Sequence, residues 1–99
     1  MFVIREVMHC KPGKVSELVK RFKALSAIVE SNGHKGFRIL TDMSAEQFWT
    51  LIAETEVESV DAFLEMERET MADDRAREAF GGYHEFIIDG RREIYRIES

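Results

Sequence analysis

The segment Phe2-Val3-Ile4-Arg5-Glu6-Val7-Met8-His9 reads as a strand that is mostly apolar on both of its faces. Side chains alternate across a strand, so Phe2, Ile4 and Met8 share one face while Val3 and Val7 share the other. A sheet built on such a strand needs a cover on each side. A chain of 99 residues has helices enough for one cover, and a second copy of the same chain is the simplest source of the other. A homodimer is therefore the expected assembly.

With 44% hydrophobic and 33% charged residues, the chain reads as one globular domain over residues 1–99, near the lower end of the usual size range. No apolar run approaches the ~20 residues of a membrane span, and no charged-then-apolar leader precedes the first strand. Neither a membrane partner nor export is expected. The single cysteine, Cys10, excludes an internal disulfide and suits a reducing compartment, so the expected location is cytoplasmic. Cys10 itself reads as a buried, unreactive thiol.

The charge is uneven. Residues 1–50 carry a net +3 and residues 51–99 a net −8, within a total of −5. No basic stripe dominates a face and the second half repels phosphate, which argues against a nucleic-acid partner. The acidic run from Glu54 to Asp74 reads as a solvated helix face.

After the first strand, Lys11-Pro12-Gly13-Lys14 forms a turn that launches a helix. Val15, Leu18, Val19, Phe22, Leu25, Ile28 and Val29 recur at steps of three and four, predicting an amphipathic helix over 14–31 that Asn32-Gly33 ends. Lys20, Arg21 and Lys23 fall on its solvent side. A strand is expected over 36–42 and another over 47–55, the second apolar on both faces and holding Trp49. Ser59 caps the next helix. Its stripe through Val60, Phe63, Leu64 and Met71 is rotated by about 140° from that of Ala76, Ala79, Phe80, Tyr83 and Ile87, so one straight helix cannot bury both. The break falls at Asp73-Asp74, giving helical pieces over 60–72 and 75–88, with Gly81-Gly82 inside the second suggesting either a kink or a close backbone approach. A last strand runs from Arg91 to Glu98. The rival arrangement makes residues 85–88 a strand and Asp89-Gly90 a two-residue hairpin turn. The order strand, helix, strand, strand, broken helix, strand is that of an α+β ferredoxin-like split βαβ sandwich, one antiparallel sheet with helices on one face.

Three segments together carry a family resemblance: Arg5-Glu6-Val7 through Lys14, Trp49 followed by Glu58-Ser59-Val60-Asp61-Ala62-Phe63, and Gly90-Arg91-Arg92-Glu93-Ile94-Tyr95-Arg96-Ile97. They resemble the dimeric α/β-barrel superfamily, within it the NIPSNAP-like and antibiotic biosynthesis monooxygenase-like groups. The resemblance implies two protomers packed sheet against sheet, with a ligand cleft in each between sheet and helices. It also implies, for some members, cofactor-independent oxidation of aromatic compounds and, for others, haem degradation. Haem-degrading members combine a helix histidine and a strand tryptophan with an asparagine early on the first strand. Trp49 matches in kind and His84 is displaced, but the first strand holds no asparagine.

On this basis the expected ligand is an aromatic or polyketide-like small molecule held by Trp49, Tyr83 and Tyr95. His84 and Tyr83 are the candidate proton-transfer groups, and Arg5 or Arg38 the stabiliser of a developing oxyanion. The alternative is a non-catalytic ligand-binding or structural dimer, with the tyrosines edging the core, His84 exposed and Trp49 packed inside. Adjacent on one strand, Arg5 and Glu6 point to opposite faces, one toward the cleft and one toward the partner. Arg38, Glu54 and Arg96 are their candidate counter-ions, and an ion pair specifying the dimer is an equal reading of these charges. His9 and His34 have no companions at metal spacing, so neither a metal nor a cofactor is expected.

Overall fold

A computed structural model describes all 99 residues. The elements are β1 (Phe2–Cys10), α1 (Val15–Ser31), β2 (Arg38–Thr41), β3 (Thr50–Val57), α2 (Val60–Ala72), α3 (Asp74–Ala79) and β4 (Ile87–Arg96), with a 3-10 turn at Tyr83–Glu85 before the last strand. The four strands lie in the order β2-β3-β1-β4, every neighbouring pair antiparallel. This is the split βαβ arrangement, in which β1 and β3 form the centre of the sheet and the helices close one face.

Local chemistry accounts for the boundaries. Gly33, at φ 88°, takes the left-handed conformation that ends α1. Ser59 caps α2, its Oγ accepting the Ala62 N–H at 3.0 Å. Asp73 does the same for α3, accepting the Arg75 N–H at 2.9 Å, so the break between the helical pieces falls where the rotated stripes demand it.

The core lies between the helices and one sheet face. Cys10, Leu18, Phe22, Leu51 and Ala53 form one buried cluster, and Ile4, Val29, Phe63 and Met66 a second. Leu18, Leu51 and Val29 are fully buried, each contributing about 1.5–3 kcal/mol of burial free energy. Burial and the nearby charge of Asp42 push the Cys10 thiol above its ordinary pKa, which keeps it protonated and inert.

Three expectations are corrected. The helical piece over 75–88 is not continuous: α3 stops at Ala79, Gly82 turns the chain at φ 75°, a single 3-10 turn follows at Tyr83–Glu85, and β4 begins at Ile87. Two adjacent glycines end so short a helix outright rather than kinking it. The rival hairpin does not form either, because Asp89-Gly90 lies inside a continuous β4, beside a register shift at His9/Cys10. Trp49 precedes β3 instead of lying on it. Residues 42–49 form a loop closed by Asp42 Oδ1, which accepts the Thr50 N–H at 2.8 Å, and by the Thr50 hydroxyl, which donates to the Gln47 carbonyl.

The second sheet face is mixed rather than apolar. Val3 and Val7 of β1 do lie there, but cross-strand pairing places Arg38 and Glu54 on one side of them and Arg91, Glu93 and Tyr95 on the other. Alternation on the flanking strands, which the apolar pattern of β1 does not reveal, decides the character of this face.

Candidate functional site

Between sheet and helices lies a cavity of about 450 Å3, within the range of roughly 300–1,000 Å3 usual for small-molecule sites. Twelve of its eighteen lining residues are hydrophobic. The sheet supplies Ile4, Met8 and Ala53 as a floor, α1 supplies Phe22 and Leu25, α2 supplies Phe63, Met66 and Met71, and the segment after α3 supplies Phe80 and Tyr83. Phe80 joins the wall to the core through an edge-on contact with Phe22 and a tilted one with Tyr83, centroids 4.9 and 4.7 Å apart. The Tyr83 hydroxyl makes no hydrogen bond within the chain.

One polar cluster interrupts this wall. Arg92 of β4 donates from Nε to Glu6 of β1, its partner in the ladder, and from its terminal nitrogens to Glu67 of α2. The guanidinium also lies over the Phe63 ring, 5.0 Å from the centroid. Burial opposes its charge, yet the carboxylates of Glu67 and Glu6 outweigh that cost and raise its pKa further. Arg77, the remaining cation on the wall, pairs with Asp74 on exposed α3.

The expected site residues do not converge. Tyr83 lines the cavity. His84 is exposed and outside it, touching Tyr83 with ring centroids 4.5 Å apart. Trp49, 43% exposed, walls a second hollow with Val15, Thr41, Asp42 and Phe48. That hollow has a similar volume but only five lining residues, so it is a surface depression. Arg5, Arg38 and Tyr95 come together on the opposite sheet face. There Arg5 Nε donates to Glu54 at 2.9 Å, Arg38 pairs with the other oxygen of the same carboxylate, and Arg5 lies 5.4 Å from the Tyr95 ring centroid. Tyr95 in turn donates to Glu93 at 2.9 Å, which raises its pKa, while Arg91 holds Glu93 below the usual carboxylate range.

The split of Arg5 and Glu6 between faces follows from alternation, with Glu6 at the cavity and Arg5 outside it. Arg92 and Glu67 were not anticipated. Glu67 sits in the acidic run read as solvated but is half-buried, and Glu54 of the same run is buried, at 7% exposure. The available signal was register: pairing Glu6 with a last-strand arginine marks Arg92. No group of three histidine, cysteine or acidic side chains is placed to hold a metal ion, and no helix is long and apolar enough to cross a membrane.

The fold is shared with solved structures at low sequence identity. A NIPSNAP family protein of unknown function from Agrobacterium tumefaciens is 14% identical with a TM-score of 0.81, the match covering 98% of this chain and 87% of that one. An uncharacterised NIPSNAP domain protein from Burkholderia xenovorans is 12% identical with a TM-score of 0.80, covering 100% and 96%. An antibiotic biosynthesis monooxygenase is 9% identical with a TM-score of 0.72, covering both chains in full. No protein-family model and no curated protein matches the sequence. Such identities establish common architecture and leave the chemistry to the site.

Proposed function

We propose that this protein is a homodimeric small-molecule-binding protein that holds one aromatic or polyketide-like ligand in the sheet–helix cavity of each protomer. The observation that carries this reading is the cavity itself: about 450 Å3, walled mainly by apolar side chains, with a single ordered polar cluster on one side. Apolar walls supply affinity and a few fixed polar groups supply orientation. In this reading Arg5, Arg38 and Tyr95 serve the pairing of protomers. The helices leave their sheet face bare, and its charges of both signs are already ordered by Glu54 and Glu93, which suits a self-complementary contact.

Native mass spectrometry of the purified protein tests both halves. A dimer carrying additional mass is the expected result. A monomer at micromolar concentration overturns the pairing, and a bare protein that takes up no aromatic probe on titration overturns the cavity.

A second reading adds turnover, as a cofactor-independent monooxygenase-like enzyme. It is supported by the fold shared with an antibiotic biosynthesis monooxygenase and by the unpartnered Tyr83 hydroxyl on the cavity wall, which is free to exchange a proton with a bound phenol. Oxygen uptake in the presence of a hydroquinone, without added cofactor, tests it. Loss of uptake in Tyr83→Phe with ligand binding retained is the expected result, and no uptake by the unaltered protein overturns it.

A further inference from the structure

We infer that the cavity selects an uncharged ligand carrying a hydrogen-bond donor, and rejects carboxylates and phosphates of the same size. The inference rests on the cavity being the ligand site and deepens that reading. Four charged side chains line the wall, Glu6, Glu67, Arg77 and Arg92, so the lining is formally balanced. Its distribution is not. Arg92, the cation placed within the wall, is taken on both sides by carboxylates and on its face by Phe63. An anionic ligand approaching Arg92 has to displace Glu6 or Glu67 or accept their repulsion in a partly desolvated site, and either course costs more than the pair regains. Arg77 offers no substitute, because its side chain is 60% exposed and already paired with Asp74, where water screens it.

The same geometry leaves an acceptor free. Glu6 Oε1 takes the Arg92 Nε–H, whereas Glu6 Oε2 takes no hydrogen bond from the chain although the side chain is only 25% exposed. A carboxylate oxygen without a partner in the chain, on a residue that lines an apolar cavity, is satisfied by a ligand hydroxyl. Tyr83 can serve a second polar atom at the ligand's other end. Specificity then comes from charge as much as from shape, because the wall that accepts a donor repels an anion.

Isothermal titration with 2-naphthol, naphthalene and 2-naphthoate at pH 7 tests this, using the unaltered protein and Glu6→Gln. The expected order is naphthol, then naphthalene, then naphthoate, with naphthol ahead of naphthoate by about tenfold or more in affinity. Glu6→Gln narrows that gap while leaving naphthalene unchanged. Glu67→Gln, which alters a half-buried helix position outside the sheet, narrows it in the same direction and guards against misfolding of the strand variant. Naphthoate binding as tightly as naphthol, or a gap unchanged in both variants, overturns the charge selection while leaving the cavity as the ligand site. Binding of none of the three probes overturns the cavity reading and this inference with it.

Discussion

Arg5 and Glu54 stand directly opposite one another on β1 and β3, with Arg5 Nε 2.9 Å from the Glu54 carboxylate. Arg38, from β2, holds the other oxygen, so two guanidiniums grip a carboxylate whose side chain is 8% exposed. Its hydrogen bond from Arg38 is the main cause lowering the Glu54 pKa below the ordinary 4.5; burial opposes the shift and Arg5 reinforces it.

A carboxylate with a depressed folded-state pKa stabilises fully above its unfolded value, and that contribution is lost as pH falls through the folded one. Glu54 therefore supports the fold at neutral pH and ceases to do so only below the ordinary 4.5. Glu54→Gln is expected to cost about 1–2 kcal/mol at pH 7, because both arginines keep substantial access to water. Its urea midpoint should also fall less steeply than that of the unaltered protein between neutral pH and pH 3. Glu93 and Asp73 are likewise shifted down, so the difference between the two proteins is the quantity to read. Parallel acid limbs would remove Glu54 from the account.

Gly36 has no room for a side chain. A Cβ there would lie 2.5 Å from Ser26 Oγ and 2.3 Å from Glu30 Oε1. Glu30 is exposed and can swing away, but Ser26 is buried and its hydroxyl accepts the Phe37 N–H at 2.8 Å. Gly36→Ala should destabilise by about 1–3 kcal/mol. Ser26→Ala alone should cost about 1 kcal/mol for the orphaned amide. The double variant should cost less than the sum, since removing Oγ clears the space, and strict additivity in a denaturation cycle would contradict the clash.

Which parts of this were legible in sequence follows from how local each signal is. The spacing from Val15 to Val29, the Ser59 cap and the rotated stripes at Asp73 are contained within a few residues, and α1, α2 and the break after α2 lie where they point. Residues 80–88 hold a helical spacing and an Asp-Gly turn signal together, and both lose to the pairing of β4 along the whole of β1. The site was harder because it is built from register. Arg92 meets Glu6 only once β4 is aligned antiparallel to β1, and Glu67 reaches them only once α2 crosses the sheet. Trp49 is of the residue type that walls ligand clefts, yet the loop at 42–49 places it at a separate surface hollow.

Trp49 adopts φ 62°, a conformation unfavourable for a bulky residue. Hydrogen bonds hold the backbone there: its carbonyl accepts the Cys10 N–H at 2.8 Å, and the next amide is bound by Asp42. Both Trp49→Ala and Trp49→Gly lose the indole's packing, but only glycine relieves the backbone. Trp49→Gly should therefore be the more stable of the two by about 1 kcal/mol in urea denaturation. The reverse order would mean that the backbone is not held at positive φ.

Arg21 was expected on the solvent side of α1, and the structure instead turns it toward the end of α3. Its guanidinium donates to the carbonyls of Ala79 and Gly81, at 3.3 and 2.5 Å, and lies 4.8 Å from the Phe86 ring centroid. These carbonyls are left without helical partners where α3 stops, and a cation near a helix C-terminus is favoured by the helix dipole. The clamp thereby fixes the segment that presents Phe80 and Tyr83 to the cavity. Arg21→Met keeps most of the apolar stem and removes the donors, so it should leave global stability within about 1–2 kcal/mol. Local opening should rise instead, with faster amide exchange over residues 80–86 than over α1 or β1. Weaker binding of a naphthol probe should accompany it, because the aromatic wall is no longer held in place. Exchange raised uniformly across the chain would show Arg21 to be a general stabilising contact, and unchanged exchange over 80–86 would show that the segment is held by Phe22 and Phe80 alone.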